Sequence, residues 1–201
     1  MTIFPLGTVL FPGGVLPLRI FEARYVDMVR QCLRNDEPFG ICRITEGNEV
    51  GKPAEHEQIG CAARIVNFDK EPSGILNLRT IGEQRFKINS SHVNEQGLVI
   101  ADIDYLPSED DAVIPLDMAR CIKVVERVIS ELVDTEPDAM KRILEPPFLL
   151  QSASWVSHRL CEILPFGPSS KQLMLELNDP IQRLSIVNQV LQKHTEALNE
   201  R

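Results

Sequence analysis

Apolar positions along the chain change their period near its middle. Up to Leu106 they fall in short runs bounded by turn residues; beyond Asp111 they recur at helical spacing. The opening, Ile3-Phe4-Pro5-Leu6-Gly7 through Leu16-Pro17-Leu18, holds three prolines and three glycines within a short span. Proline fixes φ and removes a donor, while glycine admits positive φ, so this segment predicts short extended pieces joined by sharp turns. From Glu22 to Arg34 the residues Tyr25, Met28, Val29, Cys32 and Leu33 repeat as one helical face. Acidic Glu22 and Asp27 stand toward the start of that helix and Arg30 and Arg34 toward its end, as the helix dipole favours. Glu22 and Arg24 read as residues that cap and orient this helix. Residues 59–69, 75–81, 84–89 and 98–106 are rich in apolar and β-branched side chains and predict successive strands. Pro72-Ser73-Gly74, Gly82-Glu83 and Asn94 to Gly97 separate them as turns. Short strands with tight turns and one early helix predict a compact, barrel-like sheet.

The acidic stretch Pro107-Ser108-Glu109-Asp110-Asp111 reads as a solvated link to a helical second part. Met118, Ile122, Val125, Ile129 and Leu132 form an apolar stripe that must bury against other helices. Asp179-Pro180 starts a helix, with the carboxylate capping free donors and the proline placed where its missing N–H costs nothing. The stripe Leu184, Val187, Leu191, His194 and Leu198 follows it. Further helices are expected around 148–163 and 170–177, giving a small bundle. The expected class is therefore α+β, with a β-rich subdomain at 1–111 and an α-helical subdomain at 112–201.

Composition narrows the range of functions. Ten of the eleven glycines lie at or before Gly97, which matches a turn-rich first part. At 201 residues, 43% hydrophobic and 25% charged, the chain can bury a core. A formal net charge of −8 argues against a surface for nucleic acid, which needs clustered Lys and Arg. Five cysteines, scattered at 32, 42, 61, 121 and 161 without a C-x-x-C pair, suit a reducing cytoplasm. The N-terminus lacks the basic region and apolar core of a signal peptide, and no apolar run is long enough to span a bilayer.

No residue set assembles into catalytic or metal chemistry. His158 and Cys161 lie three apart on an expected helix, but two ligands do not make a metal site. His56 falls in an acidic stretch read as a solvated loop, and His92 and His194 have no evident nucleophile or carboxylate partner. Trp155, the single tryptophan, reads as an anchor of a core or domain interface. No stretch fits G-x-x-x-x-G-K-[ST], the loop that cradles phosphates. The expectation is no catalytic residue, no cofactor and no metal.

The opening resembles that of the Lon protease N-terminal domain at every place of the family pattern: Phe4-Pro5-Leu6, Leu10-Phe11-Pro12-Gly13, Leu16-Pro17-Leu18, Ile20-Phe21-Glu22 and Arg24-Tyr25. The resemblance continues through Phe39-Gly40-Ile41, Ile59-Gly60-Cys61-Ala62 and Gly82-Glu83-Gln84-Arg85-Phe86, and returns at Ser154-Trp155, Leu164-Pro165 and Lys171 to Glu176. It implies a pseudo-barrel of the PUA-like, Lon N-terminal type followed by helices, and a similarity to the Lon-like domain of cereblon. Gly167-Pro168-Ser169 echoes the family's protease motif without a flanking match. The resemblance implies a non-catalytic protein-recognition module that binds protein clients or a partner protein, with a homodimer compatible, and without nucleic acid or membrane. Phe11 and Phe166, apolar residues placed on turns, are the candidate partner-binding residues. The alternatives are a small-ligand protein or enzyme using the barrel as a pocket and, behind it, an RNA-binding PUA-like protein. A client-binding module should show an exposed apolar patch or a free strand edge; an enzyme, convergent polar groups in a deep pocket; an RNA binder, a contiguous Arg/Lys surface.

Overall fold

The computed structural model describes residues 1–110, 112–135 and 144–199. They fall into two compact units, Met1–Ser108 and Glu109–Arg201. In the first, β1 (Thr2–Leu6), β3 (Phe39–Glu46), β5 (Ile59–Lys70), β6 (Leu76–Val93) and β7 (Val99–Tyr105) close into a ring. β1 runs parallel to β3, with Ile3 opposite Gly40, and antiparallel to β7. The other pairs, β7 with β6, β6 with β5 and β5 with β3, are antiparallel. β2 (Val15–Ile20) is added outside the ring on β6, and the two-residue β4 (Glu55–His56) on β3. The expected barrel-like sheet with one early helix is what forms.

The helix is α1 (Ala23–Asn35), which presents Tyr25, Met28, Val29 and Cys32 to the sheet. These four pack with Phe4, Leu18, Ile20, Phe39, Ile41, Leu76 and Leu78 into one apolar core. The opposite face of the same strands carries Ile3, Cys42, Ala62, Phe86 and Ile88. Neighbours such as Ile3 and Phe4, or Ile41 and Cys42, thus serve different faces, as the pleat requires. Gly60 is fixed by close approach: a Cβ there would lie 2.3 Å from the Ile41 carbonyl oxygen and 2.8 Å from Cζ of Phe86.

Three local expectations change in this unit. Gly82-Glu83 is no turn, because β6 runs unbroken through it. Gly82 instead receives the N-terminal loop, donating to the Gly14 carbonyl at 2.9 Å and accepting from the Gly13 amide at 2.7 Å. His56 lies in β4, opposite Ile44, and not in a loop. Glu22 stands at the N-cap of α1 but its side chain bonds no helix amide; its carboxylate pairs with Arg24 at 3.0 Å.

The second unit contains a short 3₁₀ turn (Leu116–Met118) followed by α2 (Ala119–Thr135), α3 (Ala153–Ile163), α4 (Pro168–Glu176) and α5 (Pro180–Asn199). Val125, Val156, Leu160, Cys161, Leu184 and Val187 are fully buried, so the helical period of the sequence does mark a packed face. Asp179 caps α5 as expected, its Oδ1 accepting from the amides of Ile181 at 2.8 Å and Gln182 at 3.1 Å. The helix expected from 148 begins only at Ala153, where the Ser152 hydroxyl accepts from the Trp155 amide at 3.0 Å. Asp111 and the side chains of His194 and Leu198 lie outside the described residues.

Candidate functional site

Convergent polar side chains occur in the second unit, around Glu109. Its carboxylate accepts from Ser154 Oγ at 2.7 Å, from Arg183 Nη1 at 3.0 Å and from Arg183 Nη2, and its Oε1 lies 3.4 Å from His158 Nε2. The Glu109 side chain is 5% exposed, that of His158 2% and that of Arg183 0%. The link expected to be solvated therefore carries a buried anion. Burial would raise the Glu109 carboxyl, but the hydrogen bonds from His158, Arg183 and Ser154 outweigh it and hold the group well below the usual carboxylate range. Burial pushes His158 down to about 4, with Arg183 and Arg159 opposing the pull of Glu109, so the imidazole is neutral at pH 7.

This cluster organises helices and does not resemble a nucleophile with its base. The hydroxyl of Ser154 gives its one proton to Glu109 and that of Ser157 to the Ser154 carbonyl at 3.0 Å. Arg183 also donates from Nε to the Met174 carbonyl at 2.9 Å and from Nη2 to the Leu177 carbonyl at 2.6 Å, satisfying the end of α4. The five cysteines form no disulfide and are buried, and burial raises Cys32 and Cys121 to about 11 and Cys42 and Cys161 to about 12. Such thiols are protonated and unreactive at neutral pH. Among the described residues no group of three His, Cys, Asp or Glu side chains is placed to hold a metal. Trp155 is half-buried, 6.2 Å from the Phe148 ring and 5.7 Å from the Arg159 guanidinium.

An apolar groove lies in the first unit, between α1 and the outer arm of the β5–β6 hairpin. Its origin is visible in the strand register. Phe68, Leu78 and Leu18 lie opposite one another across β5, β6 and β2, and Lys70, Leu76 and Ile20 form the next row. Residues in one row share a face. α1 covers the β6 and β2 members, leaving Leu76 7% and Leu78 3% exposed, but stops short of β5, where Phe68 is 52% exposed. The uncovered strip forms a groove of about 630 Å³ lined by Val26, Val29, Leu33, Phe68 and Leu76, with Arg30, Arg34, Lys70 and Gly74 around them. Its size is that of a site for a few side chains. Leu33, expected on the buried stripe of α1, is 39% exposed here.

A smaller cavity of about 310 Å³ lies beside β2, where Phe21 and Val50 meet Phe4, Leu6 and Tyr25 with Glu22 and Glu49 at its rim. β2 has one strand neighbour, β6, among the described residues, so its other edge pairs with no further strand there. Pro17 in that edge removes one of its donors, a usual means of blunting an exposed strand. Arg24 fastens the surroundings: Nη1 donates to the Gly97 carbonyl and Nη2 to that of Gly51, each at 2.6 Å, while its guanidinium lies 4.5 Å from the Tyr25 ring centre. The Glu22-Ala23-Arg24-Tyr25 signature is in this way accounted for by the fold.

The two sequence candidates, Phe11 and Phe166, differ in exposure. Phe11 is completely buried, and its carbonyl oxygen accepts from Gly14 and would lie 2.2 Å from a Cβ at residue 82. The turn that carries it thus lies with its backbone against β6 at Gly82. Phe166, between α3 and α4, is half-buried. Leu33 and Phe68 were the residues sequence reasoning missed. The signal available was Asn67-Phe68-Asp69-Lys70, a large aromatic between polar residues on a strand end.

The comparisons agree with this architecture. The family model of the ATP-dependent protease La (LON) substrate-binding domain matches residues 1–193. The crystal structure of a Lon N-terminal domain protein from Xanthomonas campestris is 32% identical, with a TM-score of 0.76 over 93% of this chain and 95% of that one. The N-terminal domain of a Mycobacterium avium complex Lon protease shares the fold at 15% identity, with a TM-score of 0.59 over 92% of this chain and 94% of that one. The Lon protease of Cytophaga hutchinsonii is 21% identical over 193 residues, 94% of this chain and 23% of that protein. Cereblon of Gallus gallus is 29% identical over 113 residues, 55% of this chain and 24% of that protein. The chain thus spans about a quarter of the length of the curated relatives it matches. With the closed five-stranded ring, the early helix and the helices that follow it, these matches establish that the chain belongs to the family of Lon substrate-binding domains.

Proposed function

We propose that this chain is a non-catalytic recognition module that holds exposed apolar segments of protein clients, or of a dedicated partner, in the groove between α1 and the β5–β6 hairpin. The observation that carries this reading is the uncovered apolar strip, with Phe68 52% and Leu33 39% exposed above a floor of Val26, Val29 and Leu76. Large apolar side chains on facing elements offer a client area that a monomer otherwise hides. The non-enzymatic part is supported by the Ser154 and Ser157 hydroxyls donating to a carboxylate and a backbone carbonyl, and by the protonated thiols. A cytoplasmic setting is supported by five cysteines that form no disulfide. Among the described residues no helix is long and apolar enough to cross a membrane. Phe166 stands as a secondary contact in this proposal.

The test is titration of a reduced and alkylated, permanently unfolded polypeptide into the purified protein, beside the variant Leu33→Asp/Phe68→Asp. Both positions are surface-exposed, so the variant should keep its melting temperature to within a few degrees. The proposal expects saturable binding by the wild type and at least a tenfold loss in the variant. Equal binding by both proteins would contradict the groove as the site, and ATP or peptide hydrolysis by the pure chain would contradict the non-catalytic reading.

A further inference from the structure

The groove is unusual in its charge. The chain carries 29 acidic against 21 basic residues, yet three cations and no carboxylate line this groove. Arg30 and Arg34 stand one turn apart on α1, and Lys70 closes the facing wall on β5. The cavity beside β2 has the opposite character, with Glu22 and Glu49 against Arg19. We infer that the α1–hairpin groove selects protein segments in which acidic residues flank the apolar ones. The inference rests on the recognition reading proposed above and specifies its client class.

The arrangement supplies what such selection needs. Val26, Val29, Leu33, Phe68 and Leu76 form a floor for apolar side chains, and the cations stand on both walls around it. The aliphatic stems of Arg and Lys extend an apolar floor while their heads stay in water. One of the three is engaged: Arg30 Nη1 lies 2.9 Å from Asp27 Oδ1, in a pair whose side chains are 62% and 55% exposed. A pair that exposed holds its cation weakly, so a client carboxylate can share it. Arg34 lies in the last turn of α1, where the helix dipole offsets part of its charge. The charged side chains that line the floor are these three cations, with no carboxylate among the lining residues. A segment with acidic flanks meets attraction on both walls, and one with basic flanks meets repulsion.

The experiment uses three labelled peptides with a common Leu-Val-Phe core flanked by Asp and Glu, by Ser and Gly, or by Lys and Arg. Their binding to the intact protein is followed by fluorescence anisotropy at low and high salt. The expected order is acidic, then neutral, then basic, with about tenfold between the extremes at low salt, shrinking as the Debye length falls below the width of the groove. The charge reversal Arg34→Glu/Lys70→Glu should invert the order, and the milder Arg34→Gln/Lys70→Gln should level it while leaving the neutral peptide bound. Equal affinity for all three peptides would overturn the charge selection while leaving the apolar groove intact as the site. Failure of all three to bind would overturn the recognition reading together with it. Preference for the basic peptide, or displacement of the acidic one by single-stranded RNA, would overturn the inference as well.

Discussion

Gly82 shows how one residue sets a contact that its sequence context disguises. In Gly82-Glu83 it reads as a turn, because glycine between two strand-like runs most often permits a reversal. Its actual role is to let the Phe11 carbonyl approach to 2.2 Å from where a Cβ would stand. Gly82→Ala should therefore destabilise the protein by roughly 1–3 kcal/mol, since backbone rather than a flexible side chain must move. Gly167→Ala, where nothing lies within 4 Å, should be close to neutral in the same urea titration. His158 makes a second prediction at this scale. Its value falls from 6.5 to about 4 in the fold because burial disfavours the charged ring. Between those values the unfolded chain binds a proton that the folded chain refuses, so stability declines as pH drops through this window. Below it Glu109 adds a further loss, since its depressed carboxyl contributes stability above the unfolded value that vanishes as the pH falls. Chemical denaturation at a series of pH values should show that slope, flattened between pH 6.5 and 4 in His158→Gln. An unchanged slope would place the titrating group elsewhere.

Elements whose pattern is local were legible in the chain, and those defined by distant partners were not. α1 follows from one apolar face and its charge order, and α5 from Asp179-Pro180, because both signals lie within a few residues of the helix they specify. β5 and β7 follow likewise from their own apolar runs. The link after β7 reads as solvated because three consecutive acids look so whatever they meet. Its Glu109 finds Arg183, 74 residues away, and Ser154, 45 residues away, and no sequence spacing announces such pairs. The link consequently acts as a staple on α3 and α5. Glu109→Ala should cost about 3–5 kcal/mol, the usual loss when one member of a buried ion pair is removed. Its neighbour Asp110, which is exposed, should tolerate alanine within about 0.5 kcal/mol. Comparable losses from both would show that charge along the link, and not the buried pair, is what matters. The groove was hidden for a related reason: Leu33 and Phe68 belong to separate runs, each readable as core, and only the register of β5 on β6 shows that α1 leaves Phe68 bare.

At the scale of the whole molecule, the motifs shared with Lon substrate-binding domains and the surface proposed for recognition are largely different residues. Phe11, Glu22, Arg24, Tyr25, Gly60 and Gly82 hold the first unit together through burial, close approach and bonds to loop carbonyls. The same fold occurs in a solved relative at 15% identity. The groove depends instead on Arg30, Leu33, Arg34, Phe68 and Lys70, exposed positions that can vary without loss of the fold. Recognition specificity can thus change on a constant frame. The most direct test of that division is residue-resolved amide chemical-shift mapping during titration with the unfolded polypeptide. The account predicts perturbations concentrated on residues 26–34 of α1 and 68–76 of the hairpin, abolished in Leu33→Asp/Phe68→Asp. Perturbations centred on the edge of β2, on the turn around Phe166 or on the helices of the second unit, with the groove silent, would contradict it.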